Sequence, residues 1–196
     1  ARPGRAPARR GDGSGSGGSE VALADRVRLL GQHGARPKYV HHAVGGNFRL
    51  DALQAAILRV KYRHLDDWQQ KRRERAAYYD QKFSASGLES ARLVQTPVAV
   101  FRDSGAQNFH TYHQYVIRTK DRDNLQAHLK AKGVGTSVFY PLSLHQQECF
   151  ADLGYKRGDF PVSEKAAKEV LALPIYPELT VEQQDYIVDS IREFYG

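Results

Sequence analysis

The run Gly45-Gly46-Asn47-Phe48-Arg49-Leu50-Asp51-Ala52-Leu53-Gln54-Ala55-Ala56 holds the side chains of this sequence best placed to do chemistry. A glycine pair lets the backbone turn sharply or approach another group closely, because it has no Cβ. An amide, Asn47, and a guanidinium, Arg49, follow at once. Leu50, Leu53, Ile57 and Leu58 then recur at helical spacing, with the good helix formers Ala55 and Ala56 among them. Such a corner offers donors at a helix start, where free N–H groups and the helix dipole favour an anion. The same residues also read as a plain loop in which Asn47 caps the helix.

Other reactive types are less well grouped. His41-His42 and the pair His110 and His113 have no carboxylate at ligand spacing, so hydrogen bonding or packing is the expected role rather than metal binding. Cys149 is the single cysteine, which excludes an internal disulfide and a cysteine-based zinc site. It precedes Phe150 on an expected half-buried helix and reads as a small apolar filler rather than a nucleophile. Trp68 and the tyrosines fit a core and a dimer interface better than a base-stacking platform.

The elements that must position these residues follow from pattern. Residues 1–20 are almost wholly Ala, Arg, Pro, Gly and Ser, with no larger aliphatic side chain, and cannot offset the entropy of ordering. From Val21 a helix is expected, with Val21, Leu23, Ala24, Val27 and Leu30 as its apolar face and Gly31 and Gly34 ending it. Arg36-Pro37-Lys38-Tyr39 starts an extended segment. A long helical signal runs from Leu50 to Phe83, with a break near Leu65-Asp66-Asp67. Leu53, Ile57, Val60, Tyr62, Leu65, Trp68, Ala76, Tyr79 and Phe83 form its buried face. Strands are expected over 93–101, 112–118 and 136–140. Helices are expected over 121–132, capped by Gly133, and over 146–153, 162–171 and 181–195. Thr180 with Gln183 forms a capping-box signature before the last of them. This order indicates an α+β unit with a small antiparallel or mixed sheet.

Lys plus Arg number 29 against 22 Asp plus Glu, a formal net charge of +7. The basic residues are interleaved with acidic ones, as in Lys71-Arg72-Arg73-Glu74-Arg75, with no basic stripe carrying aromatics. Nucleic acid is therefore not the expected partner. No apolar run reaches the length of about 20 residues that spans a membrane, and no secretory signal pattern is present. The expected location is the cytoplasm.

Several separated blocks resemble the DegT/StrS family of pyridoxal-phosphate (PLP) nucleotide-sugar aminotransferases. They are Arg28-Leu29-Leu30 with His33-Gly34, Lys38-Tyr39, and Gly45-x-Asn47-x-Arg49-Leu50-Asp51-x-Leu53-Gln54-Ala55-Ala56. Tyr112-His113-Gln114-Tyr115-Val116-Ile117-Arg118 and Arg122-Asp123 follow, then Tyr140-Pro141-Leu142-x-Leu144-His145-x-Gln147. Gly158-Asp159-Phe160-Pro161 and Leu173-Pro174-Ile175-Tyr176-Pro177-Glu178-Leu179-Thr180 complete the series. The resemblance implies an α/β class with an α+β small domain, the C-terminal part of the aspartate-aminotransferase-type PLP-dependent transferase fold. It assigns residues 21–50 to the end of the large PLP-binding domain and 51–196 to the small C-terminal domain. It implies a homodimer in which Asn47 reaches the phosphate of the PLP held by the other subunit. Arg49, Tyr140 and His145 are placed where the family approaches the sugar nucleotide. Phe139 departs from the His or Tyr that many relatives carry there, so no polar contact is expected from it.

The implied reaction moves an amino group, from glutamate as the expected donor, to a nucleotide-linked keto sugar. The family's aldimine lysine precedes a Gly-Asp-x-Gly turn. Gly11-Asp12-Gly13 falls in that register, and the lysine position falls near Arg5, with no lysine before Lys38. Arginine stays protonated and is a poor nucleophile, so no catalytic residue is assigned and the chain is expected to be inactive alone. Residues 1–20 are accordingly read as a disordered or corrupted segment, the product of a frameshift, with a natural linker as the competing account. The alternative function is a non-catalytic dimerisation or regulatory module that keeps the small-domain fold.

Overall fold

The computed structural model describes residues 16–196, with side chains from Ala22 onward. The Gly11-Asp12-Gly13 turn and the Arg5 register lie outside the described residues. The described residues fall into two compact units that divide between Lys61 and Tyr62.

In the first unit α1 (Ser16–Gly31) leads through a folded loop to α2 (Ala52–Tyr62), whose last residue belongs to the second unit. The loop caps the end of α1. Gly34 N–H donates to the Leu29 carbonyl at 2.8 Å, Gly46 N–H to Leu30 at 3.0 Å and Phe48 N–H to Gly31 at 3.2 Å. These carbonyls would otherwise be orphaned, since the last turn of a helix has no internal donors for them. The expected extended segment at Arg36 is instead a closed turn, with Arg36 N–H on the Val40 carbonyl at 2.9 Å and Val40 N–H on Pro37 at 3.0 Å. His41 and His42 brace it through ring nitrogens on the carbonyls of His33 (2.8 Å) and Arg36 (2.6 Å).

Helix α2 begins at Ala52, not Leu50, because the Asp51 carboxylate accepts from the N–H groups of Leu53 (2.9 Å) and Gln54 (3.2 Å). Asn47 is therefore not the cap. Asp51→Ala removes both bonds and is expected to cost about 1 kcal/mol of local helix stability. Faster amide exchange at Leu53 and Gln54 checks it. The expected buried face of α2 is corrected too, while the apolar face of α1 is exposed at Leu23 and Val27. Leu53 is 72% and Ile57 52% exposed, and Val60 and Tyr62 are also exposed. Helical spacing places apolar residues on one face, but burial also needs a covering element. Among its described residues this unit supplies none.

The second unit has a continuous core. The long signal breaks at Arg63-His64, and α3 (Leu65–Ala85) buries Ala76, Tyr79 and Phe83. Leu65 is exposed and Trp68 only half-buried, which shortens the expected buried face to the C-terminal half of this helix. β1 (Tyr115–Arg118) contributes Tyr115 and Ile117, and α4 (Arg122–Ala131) contributes Leu125 and Leu129. Two short 3-10 turns, Leu144–Gln146 and Glu148–Leu153, stand where a helix over 146–153 was expected. α5 (Pro161–Glu169) then runs directly into β2 (Val170–Leu173). β1 and β2 pair antiparallel, with Tyr115 opposite Leu173 and Ile117 opposite Leu171, so alternate side chains enter the core. α6 (Val181–Tyr195) buries Ile187, Val188 and Ile191. Its Thr180–Gln183 capping box is present, with Gln183 N–H on the Thr180 hydroxyl at 3.2 Å and Thr180 N–H on the Gln183 side chain at 3.0 Å.

Two expected strands shrink to single bridges flanking this sheet. Gln95 exchanges two 2.9 Å bonds with Arg118, and Ser137 pairs with Ala172. Pro97 and Pro141 stand beyond these pairs, and proline has no N–H to extend a ladder. The expected helix over 162–171 ends at Glu169, where the apolar run Val170–Leu173 before Pro174 takes the extended form that precedes proline. Cys149 is exposed, which corrects its reading as a small apolar filler: Phe150 and Leu153, which eclipse each other on the 3-10 turn, form its apolar side, and Cys149 lies off it.

Candidate functional site

The glycine corner is closely packed against the end of α1 and the loop after it. A Cβ on Gly45 would lie 2.5 Å from the Leu30 carbonyl oxygen and 2.6 Å from the Gly34 nitrogen, both backbone atoms. Gly34 has φ +69°, and a Cβ there would sit 1.8 Å from the Ala43 carbonyl oxygen. These glycines serve close backbone approach. Asn47 is paired through its backbone with Gln32, while its side chain and that of Arg49 are exposed. Neither side chain has a hydrogen-bond partner among the described residues. A fixed loop thus presents an amide and a guanidinium outward. The helix start is not part of the site, because Asp51 occupies its N–H groups. What fits an anion here is the donor set of two side chains, without help from the dipole of α2.

Tyr140 and His145 lie in the second unit. Tyr140 is 72% exposed and lines a cleft of about 470 Å³ with Phe139, Pro141, Leu142 and Ala166. His145 faces a neighbouring apolar hollow with Phe150, Leu153, Tyr155 and Phe160, and its ring packs 4.8 Å from that of Phe160. Leu144 and Ser163 line both.

The His145 side chain is only 6% exposed, and its Nε2 donates to Glu164 at 2.9 Å. The same carboxylate accepts from the Gly158 N–H at 2.7 Å. Ser163 Oγ donates to Ser143 Oγ at 3.0 Å, fastening α5 to the loop that carries Tyr140. Glu164 was missed from sequence. Its signal was an acidic residue in the first turn of a helix opened by Phe160-Pro161. His145 and the Gly-Asp-Phe-Pro block are thus two ends of one carboxylate clamp that positions the Tyr140 loop. Nothing in this geometry aims His145 at the Tyr140 cleft.

The Gly158 N–H, foremost, and then the His145 ring hold the Glu164 carboxyl below the usual carboxylate range, against an opposing effect of burial. A carboxyl lowered in the folded state adds stability above its ordinary value, and that contribution is lost as pH falls through the lowered one. Glu164→Gln is therefore expected to flatten the acid limb of a stability-versus-pH curve and leave the neutral-to-basic limb parallel to wild type. Denaturant midpoints across the acid range measure this.

With the geometry in place, likeness to known proteins becomes informative. Residues 18–192 match the DegT/DnrJ/EryC1/StrS aminotransferase family. A Geobacillus stearothermophilus protein named pleiotropic regulatory protein is 50% identical over 94% of this chain and 48% of its own length. The dTDP-3-amino-3,4,6-trideoxy-alpha-D-glucose transaminase of Streptomyces venezuelae is 36% identical over 94% of this chain and 46% of its own. Among solved structures, S. venezuelae DesV in complex with a ketimine intermediate superposes with a TM-score of 0.76 at 37% identity, over 88% of this chain and 44% of DesV. Bacillus subtilis NtdA with bound cofactor PMP gives 0.75 at 26% identity, over 87% and 39%. The chain spans about half the length of the curated relatives it matches. Its fold is part of the PLP-dependent aminotransferase fold of those structures, and the chain belongs to the DegT/DnrJ/EryC1/StrS aminotransferase family.

Proposed function

We propose that this chain supplies the small domain and cofactor-contacting corner of a PLP-dependent aminotransferase that aminates a nucleotide-linked keto sugar, with glutamate as donor. In this reading residues 21–50 end the large domain, residues 51–196 form the small one, and the working enzyme is a cytoplasmic homodimer. The observation that carries it is the exposed Asn47 amide on a loop locked to the end of α1. Bound PLP supplies the electron sink for amino-group transfer. This chain's own residues bind and orient. Asn47 donates to the cofactor phosphate of the partner subunit. Arg49 and Tyr140 face the sugar nucleotide. His145, through Glu164, holds the Tyr140 loop in place. In this reading the residues of this chain bind and orient, and none of them is assigned as the amino-group carrier.

The test uses pyridoxamine phosphate, which has the cofactor's phosphate but no aldehyde to react with surface lysines. Amide signals of Gly46, Asn47 and Phe48 should shift and saturate on titration, and much less so with pyridoxamine. Asn47→Ala removes one donor to a charged group and is expected to weaken this binding about tenfold. Equal responses to the two compounds, or an unchanged affinity in Asn47→Ala, would overturn the assignment.

The name of the 50% identical relative favours one second reading, a regulatory module that keeps the fold without the chemistry. The two part when this chain is mixed with a lysine-bearing large-domain polypeptide. Visible cofactor absorbance and amino transfer support the first reading; neither supports the second.

A further inference from the structure

A cleft of about 370 Å³ lies on residues 62–196, between the loop after α3, the end of β1 and α5. Six charged residues line it: Arg92, Arg118, Lys120 and Lys165, with Glu89 and Glu169, an excess of two positive charges. Both carboxylates are already engaged. Glu89 accepts the Thr96 hydroxyl at 2.5 Å, and Glu169 accepts from Arg118 at 2.8 Å and meets Lys165 at 3.9 Å. Arg92 and Lys120 face no carboxylate within ion-pair distance among the described residues. The Arg118 Nε is buried and has no acceptor. Such a donor is uncommon in a folded protein, and this one belongs to a side chain that lines the cleft and is 32% exposed. A lone water would satisfy the hydrogen bond and leave the charge excess unanswered.

We propose that this cleft binds a phosphate group, carried by inorganic phosphate or by a small phosphate ester. A phosphate presents several acceptor oxygens and a charge of about −2 at neutral pH, which matches donors arriving from several sides with two charges in excess. A single carboxylate matches neither the number of donors nor the charge. Arg118 is held by Glu169 with its remaining N–H free, while Arg92, Lys120 and Lys165 reach in from three segments of chain. The proposal does not depend on Asn47 or on the aminotransferase reading.

The isotope-labelled chain is titrated with inorganic phosphate and with glycerol 3-phosphate at constant ionic strength, balanced by chloride. Saturable shifts are expected at the Arg92, Arg118 and Lys120 amides. The double variant Arg92→Gln/Lys120→Gln changes two exposed side chains and should weaken binding at least about tenfold. Lys165→Gln repeats the test on an exposed helix face should the double variant fold poorly. Lys168→Gln, on α5 but outside the cleft, should bind as wild type does. Tighter binding of the ester assigns the ester, and tighter binding of the free anion assigns inorganic phosphate. Shifts that do not saturate, that chloride reproduces, or that survive the cleft variants would overturn the proposal. So would shifts at these amides that vanish in Asn47→Ala, since they would then belong to the other corner.

Discussion

Phe83→Ala is expected to lower the unfolding free energy of the chain by about 3–5 kcal/mol, a large stability effect for a single side chain. Phe83 is fully buried on the last turns of α3, and its ring lies 6.2 Å from Tyr79 and 6.5 Å from Tyr115, nearly parallel to the latter. Tyr79 and Tyr115 are themselves 4.8 Å apart, so the three rings form one closed cluster against the sheet. Both flanking rings are tied down at their hydroxyls, Tyr79 to the Pro174 carbonyl at 3.0 Å and Tyr115 to Asp80 at 2.7 Å. Pinned neighbours cannot collapse into the space that Phe83 leaves, which places the cost high in the usual range for a lost core aromatic. Tyr115→Phe is the control. It keeps the ring and removes only the hydroxyl, whose proton burial and the Asp80 carboxylate hold firmly in place. Its expected cost is about 2 kcal/mol, because the bond it removes is to a charged group. Chemical denaturation of the three proteins measures both values. A loss of under about 1 kcal/mol for Phe83→Ala would mean that the three rings do not form the centre of the core.

That cluster was half legible in the sequence. Ala76, Tyr79 and Phe83 fall at helical spacing, and the structure buries them on that face. The same rule failed for Leu53 and Ile57. Periodicity reports which residues share a face, and whether that face is covered depends on elements distant in sequence. Capping chemistry is local, so Thr180 with Gln183 and Gly133 at φ +76° were readable directly. β2 was not, because Val170–Leu173 is a short apolar run equally compatible with a buried helix end, and its pairing with Tyr115–Arg118 joins segments more than fifty residues apart. The site divides along the same line. Asn47 was singled out by its glycine neighbours and by the resemblance of the motif around it. Glu164 had a local signal as an acidic residue in the first turn of α5, but its bond to His145 spans 19 residues and no local pattern displays that pairing.

Gly45→Ala is expected to dismantle the corner that presents Asn47, more completely than any change to Asn47 itself. The new Cβ would fall 2.5 Å from the Leu30 carbonyl oxygen, 2.6 Å from the Gly34 nitrogen and 2.9 Å from the His33 carbonyl carbon. All three are backbone atoms, one in the last turn of α1 and two in the loop just after it, so no side chain can swing aside and the backbone itself must move. The bonds at risk are those that close the corner: Gly46 N–H to Leu30, His33 N–H to Gly46 and Phe48 N–H to Gly31. Each contributes about 1 kcal/mol net, and they are lost together because one displacement separates the same two segments. Gly46→Ala makes a graded comparison. Its Cβ meets only the Phe48 ring, at 2.6 Å, and an exposed side chain can rotate away. Amide exchange at His33, Gly46 and Phe48 should therefore accelerate strongly in Gly45→Ala and modestly in Gly46→Ala. Pyridoxamine phosphate binding should be abolished in the first and retained in the second, because the anchoring of the loop is what fixes the amide in space. Protection of these amides in Gly45→Ala equal to wild type would show that the corner has slack the close contacts do not allow, and preorganisation of Asn47 would then lose its physical basis.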